Sequence, residues 1–122
     1  MVTVKKVEQT LKDNLPSGES LQAFMYALEG FKGHAIGLTE KRLLLLRLGM
    51  FLGGVKEQKE IARDQIADVH YEGGGATALE ALFVLKTTDG KEYQWKVTRA
   101  AGLSGGENFE QAEKLYNALL KK

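Results

Sequence analysis

The chain has 122 residues, 43% of them hydrophobic and 27% charged, the balance of one globular domain. Seventeen Lys and Arg against sixteen Asp and Glu leave a net charge of +1. That is not the basic excess by which nucleic-acid binders neutralise phosphate. Cysteine is absent, which excludes disulfides, thiol nucleophiles and thiolate zinc sites. No apolar stretch approaches the roughly 18–20 residues of a membrane span. The N-terminus is charged by Lys5 and lacks a signal peptide's apolar core, so a cytoplasmic location is expected.

Val4, Val7, Leu11 and Leu15 fall on one stripe of a helix that Pro16-Ser17-Gly18 stops. From Ser20 the pattern changes to short runs of Leu, Val, Ile and aromatics between glycine-bearing breaks. Strands are predicted near 20–29, 33–39, 42–48, 55–61, 66–72, 79–87 and 91–98. The third, Arg42 to Leu48, is apolar on both faces over Leu43-Leu44-Leu45-Leu46 and asks for cover on both sides.

The hairpin around Thr87-Thr88-Asp89-Gly90-Lys91 admits two registers. A three-residue loop, Thr88-Asp89-Gly90, sets Leu85, Phe83 and Ala81 opposite Tyr93, Trp95 and Val97. This buries the larger apolar set and is the register predicted. It leaves Leu82 and Val84 on the outer face, where the first helix or a second subunit is expected to cover them. In the fifth strand Ala67, Val69 and Tyr71 are expected inward, with Asp68, His70 and Glu72 on a solvated outer face. Those three could approach a metal, but their types and spacing are common, and no metal or cofactor is expected.

A last helix is predicted at about 107–121, with Phe109, Ala112, Tyr116 and Leu119 on its stripe and Leu115 and Leu120 widening it. Ser104 with Glu107, or Asn108 with Gln111, would cap its start. No serine sits in a Gly-x-Ser-x-Gly elbow, so no catalytic residue is assigned and an enzyme is not expected. The Gly102-Leu103-Ser104-Gly105-Gly106 stretch lacks the lysine of a phosphate loop and is read as a connector.

Seven strands followed by one amphipathic helix is the element order of the pleckstrin-homology (PH) superfold. Several phrases resemble bacterial PH-like domains, particularly the YokE-like branch. These are Gly37-Leu38-Thr39-Glu40-Lys41-Arg42-Leu43-Leu44-Leu45, Ile66-Ala67-Asp68-Val69, the glycine-bounded 49–54 hairpin, the Thr88-Asp89-Gly90-Lys91 turn, and a helix leading into Leu15-Pro16-Ser17-Gly18-Glu19. The resemblance implies a mainly β (α+β) fold. It would be a barrel of two near-orthogonal antiparallel sheets, seven strands in all, with a C-terminal capping helix and an extra N-terminal helix. One domain, 1–122, would hold the N-terminal helix (1–16), the barrel (19–99) and the C-terminal helix (105–121).

The resemblance carries no activity with it. Only Lys32 and His34 occupy the region where phosphoinositide-binding relatives place several basic residues, so that ligand is not expected. The resemblance does place Phe31, Met50, Phe51 and Leu52 at one end of the barrel, with Lys32, Lys56 and Lys91 around them. A non-catalytic interaction module is expected, self-associating or binding a protein or peptide. It would use Met50, Phe51 and Leu52 as apolar anchors, or add a strand along residues 66–72 beside the last helix. Leu82 and Val84 are the expected outer-face oligomer contact. The rival reading is weak contact with an anionic lipid surface through Phe31, Lys32 and the 49–54 hairpin.

Overall fold

The computed structural model describes residues 4–49, 54–73, 80–98 and 107–121. The elements run α1 (Val4–Asp13), β1 (Ala23–Glu29), β2 (Lys32–Leu38), β3 (Arg42–Leu48), β4 (Val55–Ala62), β5 (Ile66–Gly73), β6 (Glu80–Thr87), β7 (Glu92–Thr98) and α2 (Glu107–Leu120). One antiparallel sheet holds all seven strands in the order β4-β3-β2-β1-β7-β6-β5, with β4 and β5 as unjoined edges. The fold is thus mainly β with a helix at either end. The two expected sheets are hydrogen-bonded into one, and their junction is narrow, registered at Leu28 opposite Lys96.

Alternation along the strands builds a core on each face of the β1–β3 region. Met25, Ile36, Leu43, Leu45, Phe83, Leu85, Trp95 and Val97 face α2, which contributes Phe109, Ala112, Leu115 and Leu119. Phe24, Tyr26, Ala35, Leu44 and Leu46 face the other way, against Val7 and Leu11 of α1. The doubly apolar β3 is therefore covered on both sides, Leu43 and Leu45 by one core and Leu44 and Leu46 by the other. Each such buried side chain contributes roughly 1.5–3 kcal/mol over its exposed state. Gly37 lets α1 come close: a Cβ there would lie 2.8 Å from Leu21 Cδ1 and 3.0 Å from Leu11 Cδ2.

The β6–β7 hairpin takes the three-residue loop. Phe83 lies opposite Trp95, Leu85 opposite Tyr93, and Gly90 has φ 88°, which a side chain would resist. Thr87 N–H donates to the Lys91 carbonyl at 2.9 Å. The Thr87 hydroxyl also donates to the Asp89 carboxylate, which with the Lys91 N–H holds Asp89 below the usual aspartate range.

Four expectations are corrected. The first helix covers β1–β3, so it does not reach Leu82 and Val84 on β6. Ala67 is exposed, because a register shift between Ile66 and Asp68 turns Ile66 inward in its place; Val69 and Tyr71 do pack inward. Leu120 is 55% exposed, since the buried stripe of α2 runs through Phe109, Ala112, Leu115 and Leu119, and Tyr116 is half-buried. Asn108 is 3% exposed and bonds to the sheet instead of capping its own helix. Ser104 and the 102–106 stretch lie outside the described residues.

Candidate functional site

Three regions that the sequence singled out are separated by the fold. At the β1–β2 turn, Phe31 is fully exposed and Lys32 opens β2, but Met50, Phe51 and Leu52 lie outside the described residues. The segment that carries them leaves from a closed stem, where Gly49 N–H donates to the Gly54 carbonyl at 2.8 Å. On the outer face of β6, Leu82 is 38% exposed and Val84 half-buried. Charged pairs surround them, Lys96 with Glu80 at 3.6 Å and Lys86 with Glu92 at 3.7 Å. The aliphatic stems of such residues shield part of an apolar neighbour.

The third region is the β5 edge beside α2. The side chains of β5 divide cleanly after its bulge. Val69 and Tyr71, opposite Leu85 and Phe83, face the core, while Asp68, His70 and Glu72 face outward. Tyr71 reaches α2, its ring 6.0 Å from that of Tyr116 and 5.8 Å from Phe83. Val69, Tyr71 and Tyr116 are only half-buried, so an aromatic and aliphatic margin remains open between strand and helix. Burial, helped by the nearby Glu113 carboxylate, pushes the Tyr71 hydroxyl above its ordinary pKa. Outward, His70 Nε2 lies 3.2 Å from Glu72 Oε2. No group of three His, Cys, Asp or Glu among the described residues is placed to hold a metal.

A polar cleft of about 210 Å³ occupies the inner face beyond the part that α2 covers. His34, Arg47, Glu57 and Lys59 form its walls, with Trp95 and Glu29 below. The carboxylates are engaged. Trp95 Nε1–H donates to Glu29 at 3.2 Å, and Glu57 faces Arg47 Nε at 3.4 Å and Lys59 at 3.8 Å. Among the described residues no Ser, Thr or Cys lines it, and Tyr93 brings its one hydroxyl group.

Sequence reasoning missed two residues that set these surfaces in place. Asn108 ties α2 to β1 and β7 through three hydrogen bonds. Arg63, in the short turn before β5, donates to Gln22 Oε1 (2.9 Å), the Thr39 carbonyl (3.2 Å) and the Ala118 carbonyl in the last turn of α2 (3.3 Å). A cation there suits the negative end of the helix. Neither partner is near in sequence, so no local pattern could have announced either contact.

No protein-family model matches the chain. No curated protein matches it either. Among solved structures it is similar to the C-terminal domain of an unknown protein from Leishmania infantum, with a TM-score of 0.56 and 17% identity over 93% of this chain and 94% of that one. The likeness is one of fold. No helix among the described residues is long and apolar enough to cross a membrane.

Proposed function

We propose that the chain is a non-catalytic, PH-like interaction module that receives an extended protein or peptide segment on the β5 edge. The observation that carries this reading is the contrast between the sheet's two edges. β4 is charged on both faces: Glu57 and Lys59 stand on the inner side, opposite Arg47 and Leu45, and Glu60 on the outer. Inward charges on an edge strand are a standard guard against pairing with another chain. The inner side of β5 carries Val69 and Tyr71 instead, and α2 adds Tyr116 beside them. An added strand would bond to the β5 main chain and set alternate side chains against these three residues. Screening displayed random peptides against the protein, then mapping a binder by amide chemical shifts, tests this. Shifts centred on 68–72 and α2 are expected; shifts confined to β4, the polar cleft or the β1–β2 turn overturn it.

A second reading is favoured by Phe31, fully exposed beside Lys32. Such an apolar side chain with a basic neighbour would touch an anionic lipid surface weakly. Co-pelleting with phosphatidylserine vesicles at low salt decides it, and loss of pelleting in Phe31→Ser is the expected signature.

A further inference from the structure

We infer that the segment received by β5 is basic, alternating Lys or Arg with apolar residues, a conclusion that rests on the β5 reading above. The two faces of the edge ask for different chemistry. The inner face offers Val69, Tyr71 and Tyr116, so every second residue of an added strand should be apolar. The outer face offers Asp68 and Glu72, with His70 between them, so the intervening residues meet two carboxylates. Lys86 lies across from Asp68, but it sits on the β6 side and pairs with Glu92 at 3.7 Å. Among the described residues Glu72 has His70 as its ion partner, at 3.2 Å, and both side chains are well exposed. On the helix side the Glu113 carboxylate lies close enough to act on Tyr71, so the inner face has a carboxylate beside it as well. Opposite charges across neighbouring strands attract and like charges repel, which fixes the sign of the partner.

The test uses two blocked nine-residue peptides, one alternating Lys with Val and one alternating Glu with Val, titrated into the isotope-labelled protein. The lysine peptide should bind at least about fivefold more tightly, shift amides of 68–72, and weaken as salt rises. Asp68→Asn with Glu72→Gln, both surface changes, should erase the preference while leaving the spectrum elsewhere unchanged. Equal affinity for the two peptides, or a preference for the glutamate peptide, overturns the inference and leaves strand addition standing. Binding of neither peptide overturns both. Sedimentation of the free protein supplies the last arm: a dimer abolished by Asp68→Lys would assign the edge to a second copy and overturn the basic-segment inference.

Discussion

The side-chain amide of Asn108 and the main chain of Tyr26 bind each other reciprocally, 82 residues apart in the chain. Tyr26 N–H donates to Asn108 Oδ1 at 3.0 Å, and Asn108 Nδ2 donates to the Tyr26 carbonyl at 2.8 Å and to the Thr98 carbonyl at 3.2 Å. β1 and β7 are registered at Leu28 opposite Lys96. Continued by two residues, that register would set Tyr26 opposite Thr98. The amide thus stands where the next rung of the ladder would be, and supplies partners for the Tyr26 main chain from α2. It keeps the buried main chain satisfied there.

Asn108→Ala strips partners from buried main-chain groups, and the expected loss is about 2–4 kcal/mol in urea unfolding. Asn108→Asp keeps the acceptor for Tyr26 N–H but turns a carboxylate toward the Tyr26 and Thr98 carbonyls. It should be at least as destabilising at neutral pH, and partly recover in acid as the carboxyl regains a proton to donate.

Arg63→Ala should loosen the end of α2 before it loosens the sheet. Three hydrogen bonds are lost, with an expected cost of about 1–3 kcal/mol, and hydrogen exchange should quicken first at Leu119 to Lys121. Arg63→Lys should recover little, since an ammonium cannot reach three acceptors with the geometry of a guanidinium fork.

Gly37→Ala should cost about 1–3 kcal/mol, because the new methyl group meets Leu21 and Leu11 at the seat of α1. The damage should stay local. Resonances of Val7 and Leu11 should move, while Phe83 and Trp95 in the other core should not.

Glu19 gives the molecule an acid-sensitive latch. It accepts from Thr39 Oγ1 at 2.6 Å and pairs with Arg42 at 2.8 Å, and Arg42 in turn holds Glu60 at 2.7 Å. The Thr39 hydrogen bond, then Arg42, hold its carboxyl below the ordinary glutamate range. A depressed folded-state pKa means that the stabilisation is complete above the ordinary value of 4.5 and drains away as pH falls toward the folded one. Glu19→Gln should therefore lower the melting temperature at pH 7 and flatten its decline below pH 4.5, which thermal unfolding across an acid pH series measures.

What was legible in the sequence was what period and turn chemistry encode. The two-period alternation of β7, with Tyr93, Trp95 and Val97 on one side, selected the hairpin loop, and the double-faced Leu43–Leu46 run announced cover on both sides. Alternation alone places Ala67 inward, whereas the bulge reverses the faces and leaves no mark in residue type. Periodicity places Leu120 on the stripe of α2, but it does not mark how wide the sheet beneath it is, and Leu120 stands exposed. The β5 edge is a candidate in the sequence, yet its apolar inner side and the charged inner side of β4 become comparable only once strand order makes both of them edges. Asn108 reads locally as a cap and Arg63 carries no local signal, because their partners lie between 10 and 82 residues away.

The most direct test of the account is amide hydrogen exchange along both edges, measured with and without a bound extended peptide. Added-strand pairing should slow alternate amides between residues 68 and 72 and leave 56–60 of β4 unchanged. Slowing on β4, or at the β1–β2 turn with β5 unaffected, would contradict it.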